Sequence, residues 1–442
     1  MARRRQGPPG RLQRAHQGRR LQLHRSGRRP RRRGPARPVS LLPAAAVFAS
    51  RDYRYYLAAR FLSALAIQMQ NVAVGWLVYD LTRDPFALGL VGLASFLPAI
   101  ALALVTGHTA DRYDRRRILV ACYVVTLGTA GGLLAIAASG SGQVWLIYGL
   151  LLVFGISRAF ANPAGQALVP NLVPAEQLGS AIAWNSTVWQ TATIAGPAVG
   201  GLLYYLGAGV AFGTAAACFL ACCILFALME SRLQPKPSDV TWETLLAGIR
   251  FIRSRPAIFG AISLDLFAVL LGGATALLPI YARDILHVGP GGLGLLRSMP
   301  AVGALLVALW LAQRPLQSKS GLRMFQGVAL FGVATIAFGL STHIVLSCVC
   351  LFVLGGADMI SVFVRSTLVQ FDTPDAMRGR VAAVNSVFIG ASNELGEFES
   401  GAVAAAIGTV PAVVVGGVGT LVVCALWMRW FPALRHRDRL TA

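Results

Sequence analysis

Residues 168–186 read LVPNLVPAEQLGSAIAWNS and residues 368–386 read LVQFDTPDAMRGRVAAVNS. Aligned at an offset of 200 without a gap, they agree at Leu168/Leu368, Val169/Val369, Pro174/Pro374, Gly179/Gly379, Ala183/Ala383, Asn185/Asn385 and Ser186/Ser386. Seven identities in nineteen positions exceed what a shared apolar composition produces by coincidence, so the chain carries an internal repeat. A second echo pairs Gly92, Pro98 and Ala99 with Gly294, Pro300 and Ala301 at an offset of 202.

The material between the copies is apolar. At 442 residues, 55% hydrophobic and 13% charged, with a mean hydropathy of +0.62, the chain has more apolar surface than a soluble fold of its length buries. A membrane-spanning helix needs about 20 mostly apolar residues. Such runs recur at 55–79, 86–107, 118–138, 143–163, 180–204, 208–229, 257–281, 291–312, 323–341, 343–364, 380–405 and 409–431. These are spans 1 to 12. Six spans separate the copies, an even number, so both halves enter the bilayer in the same sense. The fold expected is all-α and polytopic, with twelve transmembrane helices in two parallel six-helix bundles and a substrate site between them.

Basic residues fix the expected orientation, because cytoplasmic loops hold the excess of Arg and Lys. Arg112, Arg115, Arg116 and Arg117 follow span 2, Arg232 to Arg255 separate spans 6 and 7, and Arg314, Lys319 and Arg323 precede span 9. Arg378 and Arg380 precede span 11, and Arg435, Arg437 and Arg439 end the chain. The alternate loops carry little beyond Arg83 and Arg283, each beside an aspartate. Both termini are therefore expected in the cytoplasm. The expected organisation is an Arg-rich disordered tail over 1–50, bundles over 51–230 and 257–432, a linker with an amphipathic helix over 231–256, and a basic tail over 433–442. Fourteen arginines and no acid fall within residues 1 to 40, so most of the net charge of +22 is local. A lipid-contacting arm, a nucleic-acid arm and a start codon assigned too far upstream remain open for that segment, with nucleic acid the least favoured.

The loop after span 2 reads Gly107-His108-Thr109-Ala110-Asp111-Arg112-Tyr113-Asp114-Arg115-Arg116-Arg117. It resembles the signature loop of the major facilitator superfamily, G-x-x-x-D-R-x-G-R-R, with Asp114 in place of the pattern's glycine. Span 5 contains Gly196-Pro197-Ala198-Val199-Gly200-Gly201, which is similar to a motif of that superfamily's antiporter branch. Segments 172–176, 250–256 and 393–401 look most like its enterobactin-exporter and macrolide-efflux group. The resemblance implies secondary active export of siderophore- or drug-like molecules by alternating access, with proton antiport, and a gating role for Gly107, Asp111, Arg112, Arg115 and Arg116. Proton-coupled import on the same scaffold is the alternative within the superfamily.

Ionised acids cost roughly 2.5–3.5 kcal/mol at the centre of a membrane helix and so tend to mark function. Asp265, Asp358, Glu394, Glu397 and Glu399 are the proton-coupling candidates. Ser386, Gly390, Glu394, Glu397 and Gly401 share one helical stripe, as a cavity wall requires, whereas Glu399 faces elsewhere. Packing against Arg158 or Arg365 is the competing role for these acids. Gln68 and Asn71 on span 1, Arg158 on span 4, and Asn185 and Gln190 on span 5 are the candidate substrate contacts, with interhelical hydrogen bonding as the alternative.

No Walker loop is present, which excludes a fused ATPase. Isolated His108, His287 and His343 and seven cysteines inside apolar runs argue against a membrane-embedded lipid-modifying enzyme and against a metal site. A non-enzymatic, cofactor-free monomer is expected, with small molecules, protons and lipid as its partners. Deleting residues 1 to 45 is expected to leave membrane insertion and transport unchanged, as measured by membrane fractionation and vesicle flux.

Overall fold

The computed structural model describes residues 44–230, 242–314 and 318–438. The expectations for the Arg-rich tail up to residue 43, for the linker over 231–241 with Arg232, and for Arg439 lie outside the described residues. Every described element is helical. The first half comprises α1 (Arg51–Thr82), α2 (Pro85–Ala101), α3 (Ala103–Arg112), α4 (Arg115–Ser139), α5 (Val144–Leu168), α6 (Leu178–Tyr205) and α7 (Ala208–Ala227). Then come α8 (Trp242–Ser254), α9 (Pro256–Gly272), the short α10 (Leu278–Ile280), α11 (Gly289–Gln313), α12 (Ser320–Gly339), α13 (Ile344–Phe371), α14 (Asp375–Ile407), α15 (Thr409–Trp430) and α16 (Pro432–Arg435).

Local chemistry sets the ends of these helices. Ser50 caps α1 by accepting from the Tyr53 amide at 3.2 Å, and Asp84 caps α2 by accepting from the Phe86 amide at 2.9 Å, ahead of Pro85. Span 2 is interrupted at Leu102, where α2 gives way to α3. Span 7, expected to be continuous, breaks after Gly272: a 3-10 turn over Ala274–Leu277, α10 and a π turn over Tyr281–Ile285 complete the crossing. Paired Gly272 and Gly273 with Pro279 account for that break.

Among the described residues nine helices are long and apolar enough to cross a membrane. At the other three expected spans the structure has helices α2 with α3, α6 and α14. Each misses the apolar standard for a chemical reason. Helix α2 is shortened at Leu102, α6 carries Asn185, Gln190 and three threonines, and α14 carries three glutamates and two arginines. Outward-facing Leu97, Val124, Leu152, Leu220, Leu309, Val333, Val349 and Val422 are exposed, as lipid-facing side chains are.

The repeat in the sequence is a repeat in packing. Gly155 of α5 sits against Ser95 and Pro98 of α2; 200 residues later, Gly355 of α13 sits against Pro300 of α11. Within the first half α1 packs on α6 and α7, and α4 on α5 and α7; within the second, α12 packs on α13 and α15, and α9 on α14 and α15. Most of the contact between the halves is made by two helix pairs, α2 with α14 and α6 with α11. They pair the very elements that carry the two sequence echoes.

The face holding the Arg112–Arg117 loop is called here the basic face, and its opposite the far face. In the far half a single apolar core runs through both bundles, including Val72, Leu77, Phe212, Tyr281, Leu293, Phe338 and Ala404. In the basic half the cores are separate, one with Tyr53, Phe154 and Phe219, the other with Leu264, Phe325 and Val364. Glycines follow the same division. A Cβ on Gly401 would lie 2.8 Å from the Gly89 Cα, and one on Gly201 would lie 2.9 Å from the Gly294 Cα, whereas Gly107, Gly179 and Gly379 on the basic side have open space.

Charged groups reinforce the far-side closure. Arg283 pairs with Asp80, Arg83 reaches Asp284 at 3.5 Å, and the Tyr79 hydroxyl donates to Asp284. Replacing Gly401 by Leu is expected to force the far ends of α2 and α14 apart. A cysteine placed at Gly75 in a cysteine-free background is then labelled several-fold faster by a thiol reagent applied to the far face.

Candidate functional site

Between the bundles lies a polar cavity of about 70 Å³. Asn71 and Gly75 of α1, Leu88, Val91, Gly92 and Ser95 of α2, and Arg158 of α5 line one side. Ala276 and Pro279 from the broken span 7, Arg297 of α11, and Glu394 and Glu397 of α14 line the other. The break after Gly272 therefore places backbone turns and Pro279 against the cavity rather than a regular helix face.

Four charges meet here. Arg158 stands 3.9 Å from Glu394 across the bundle interface, and Arg297 stands 4.0 Å from Glu397 within the second bundle. Both separations are too long for hydrogen bonds. Among the described residues, none of the four side chains makes a hydrogen bond to another protein group. Arg158 has one further contact, its guanidinium lying 5.7 Å from the Phe154 ring centre. Gly92 is required beside them, because a Cβ there would approach the Glu397 Oε2 to 3.0 Å.

The residues singled out from sequence divide into groups. Asn71, Arg158, Glu394 and Glu397 come together in the cavity; Gln68 is one contact removed, accepting from the Asn71 amide at 3.4 Å. Gln190 spans the bundles instead, donating from Nε2 to the Ala301 carbonyl at 3.2 Å. Asn185 and its repeat mate Asn385 are away from the cavity lining, each with a buried, unpartnered Oδ1. Asp265 forms a fully buried ion pair with Arg365, joining α9 to α13 inside the second bundle. Asp358 and Glu399 do not line the cavity. Arg297 was missed, although an arginine inside span 8 is as conspicuous as Arg158 in span 4.

The loop motif is built into the first bundle. Asp114, standing where the superfamily pattern has glycine, caps α4 by accepting from the Arg116 amide at 2.9 Å. Arg115 donates to the Ala110 carbonyl at 3.2 Å and the Ala167 carbonyl at 2.8 Å; Arg116 donates to the carbonyls of Phe226, at 2.9 Å, and Ala227. These cations satisfy carbonyls at the ends of α3, α5 and α7, where the helix dipoles favour positive charge. Arg112 is exposed, and the Asp111 side chain lies outside the described residues. Nothing lies within 4 Å of the Cβ position of Gly107, so no helix packs closely on it in this conformation. In α6, by contrast, Gly196 meets Gln68 of α1, Gly200 meets Met69 of α1, and Gly201, one residue-turn beyond Pro197, meets Pro290 and Gly294 of α11.

The family model for transmembrane secretion effectors matches residues 43–440. The chain belongs to this family, within the major facilitator superfamily. The enterobactin exporter EntS of Escherichia coli K12 is 28% identical over 392 residues, covering 87% of this chain and 92% of the relative. Its counterpart in Citrobacter koseri is 29% identical over the same coverage. Among solved structures, a bacterial homologue of the human lysosomal transporter Spinster aligns with a TM-score of 0.68 at 13% identity, covering 87% of this chain and 97% of that one. A bacterial homologue of the iron transporter ferroportin aligns at 0.63 and 19% identity, covering 86% and 98%. The chain is thus a multi-pass membrane transporter of small molecules and not an enzyme.

The Asp265–Arg365 pair generates a stability test. Asp265→Asn leaves a buried guanidinium without its counter-charge, expected to cost about 3–5 kcal/mol. Thermal unfolding in detergent should show a large fall in midpoint for this variant and substantial recovery in Asp265→Leu/Arg365→Met.

Proposed function

We propose that this chain exports siderophore- or drug-like molecules by alternating access, in exchange for protons bound at Glu394 and Glu397. The observation that carries this reading is a charged cavity between two bundles that share a core in one half of their depth only. Two rigid halves joined at one end need only rock about the cavity to expose it to the other face. The arginine-rich loops support placing the basic face, and with it both termini, in the bacterial cytoplasm. On that placement the present conformation is open inward.

The export direction is supported by the exporter names of the relatives and by the Gly196–Gly201 segment. Gly200 and Gly201 hold α6 against α1 and α11 while the far face is shut. In the opposite conformation, the basic ends close, and the free space beside Gly107 is what lets α3 and its Asp111–Arg116 loop latch there. Glu394 and Glu397 suit proton exchange because they face the cavity without hydrogen bonds and each has an arginine alongside. Asp265 serves packing, through Arg365. Asp358 and Glu399 lie off the lining and stand as secondary candidates for proton handling. The transporter works as a monomer, since both halves of the pathway belong to one chain.

The experiment uses inside-out vesicles with an imposed pH gradient and a panel of siderophores and antibiotics. The parent protein is expected to accumulate at least one compound. Glu394→Gln and Glu397→Gln are each expected to reduce pH-driven accumulation by about tenfold or more, as loss of a charged interaction made during turnover does. Normal accumulation by both variants at every pH would remove the proton assignment.

A further inference from the structure

The charges of the cavity limit what it can hold. Arginine keeps its charge at any pH a cell meets, whereas a glutamate in a wet cavity gains or loses a proton. With Arg158 and Arg297 fixed and Glu394 and Glu397 variable, the lining ranges from neutral to doubly positive and is never net negative. A net cation finds no surplus of opposite charge there. A net anion finds both guanidiniums, but it also favours protonation of the two carboxyls, and by linkage protons favour the anion in return. That sign makes ligand and proton move together rather than in exchange.

A third kind of ligand meets neither objection. The four side chains spend no hydrogen bonds on protein groups, and their ion pairs stand open at 3.9 and 4.0 Å. Donors therefore face the space from both bundles, Arg158 from the first and Arg297 from the second, and the acceptors Glu394 and Glu397 lie between them in charge-pairing range. We infer that the cavity recognises an overall neutral molecule with hydrogen-bond donors and acceptors on adjacent atoms, of the vicinal-diol or primary-amide kind. Its acceptors go to Arg158 and Arg297, and its donors to ionised Glu394 and Glu397. This rests on the proton-exchange reading above, because a ligand that needs ionised carboxylates is displaced when they take up protons.

The groups facing these carboxyls are few. They face each other, Arg158 from α5 and Arg297 from α11; α1 contributes Asn71, and α2 contributes Gly92 and Ser95. Of the remaining elements packed on α14, α9 carries Asp265 and α13 carries Arg365, paired with each other, and α13 also carries Asp358; Arg250 and Arg253 of α8 and Arg429 of α15 are exposed, and none of these groups lines the cavity. The segment after α9 offers Ala276 and Pro279.

The test uses the full chain in lipid nanodiscs and three fluorescent probes of similar size. They are 3-(dansylamino)-1,2-propanediol, which is neutral, dansylglutamate, an anion, and dansylcadaverine, a cation. The diol is expected to bind about tenfold more tightly than the other two, and several-fold more tightly at pH 8 than at pH 6. Arg158→Gln weakens the diol and keeps the pH response; Glu394→Gln weakens it and flattens the response. Arg158→Gln/Glu394→Gln leaves neither charge of that pair alone, so its folding is secure while diol binding is lost. Tightest binding of dansylglutamate, strengthening from pH 8 to pH 6, would overturn the inference, as would preference for dansylcadaverine or unchanged diol binding in the double variant. Diol selectivity together with vesicles in which no pH gradient drives any compound sinks the exchange reading alone. Gradient-driven export with an anion preference sinks the recognition rule alone.

Discussion

Close backbone approach at glycine is the constraint on which this molecule depends. Gly89 against Gly401 and Gly201 against Gly294 bring α2 to α14 and α6 to α11 nearer than any side chain would permit. In a bilayer, where burial of apolar surface gives little net drive between helices, such contact is a main source of association. Concentrated in one half of the molecule, it produces one shared core there and leaves two cores elsewhere. The cavity lies where the bundles begin to part.

The central charges are tolerable only because of that geometry. Two arginines and two glutamates in a dry helix bundle would demand tight, hydrogen-bonded pairs, as Asp265 and Arg365 form deep in the second bundle. Arg158, Arg297, Glu394 and Glu397 instead keep loose separations beside a polar space. The contrast between the two kinds of pair separates a structural ion pair from one held ready for exchange. Both involve acids inside predicted spans, and hydropathy treats them alike.

Polar load and position in the fold are linked as well. Two helices that fall short of an ordinary apolar span through their polar residues, α6 and α14, are also interface helices. Helices facing lipid must be uniformly apolar, whereas those facing the other bundle and a cavity carry Asn, Gln, Glu and Thr. The polar stripe on α14 through Glu394 and Glu397 announced this in the sequence through its helical spacing.

The all-helical polytopic class, the order of the helices, the duplication and the family resemblance were legible along the chain, because span length, local hydropathy and a fixed residue offset are properties of adjacent or regularly spaced residues. The sequence also placed Glu394 and Glu397 on one face and marked Arg158 as costly. Which acid meets which arginine emerges only on folding, since Arg158 and Glu394 lie on different bundles and Asp265 and Arg365 are a hundred residues apart. Folding alone brought Arg297 and the broken span 7 to the cavity, and left Gly107 in open space while closing on Gly201. Which faces meet is set by packing between distant helices, and no periodicity along the chain encodes it.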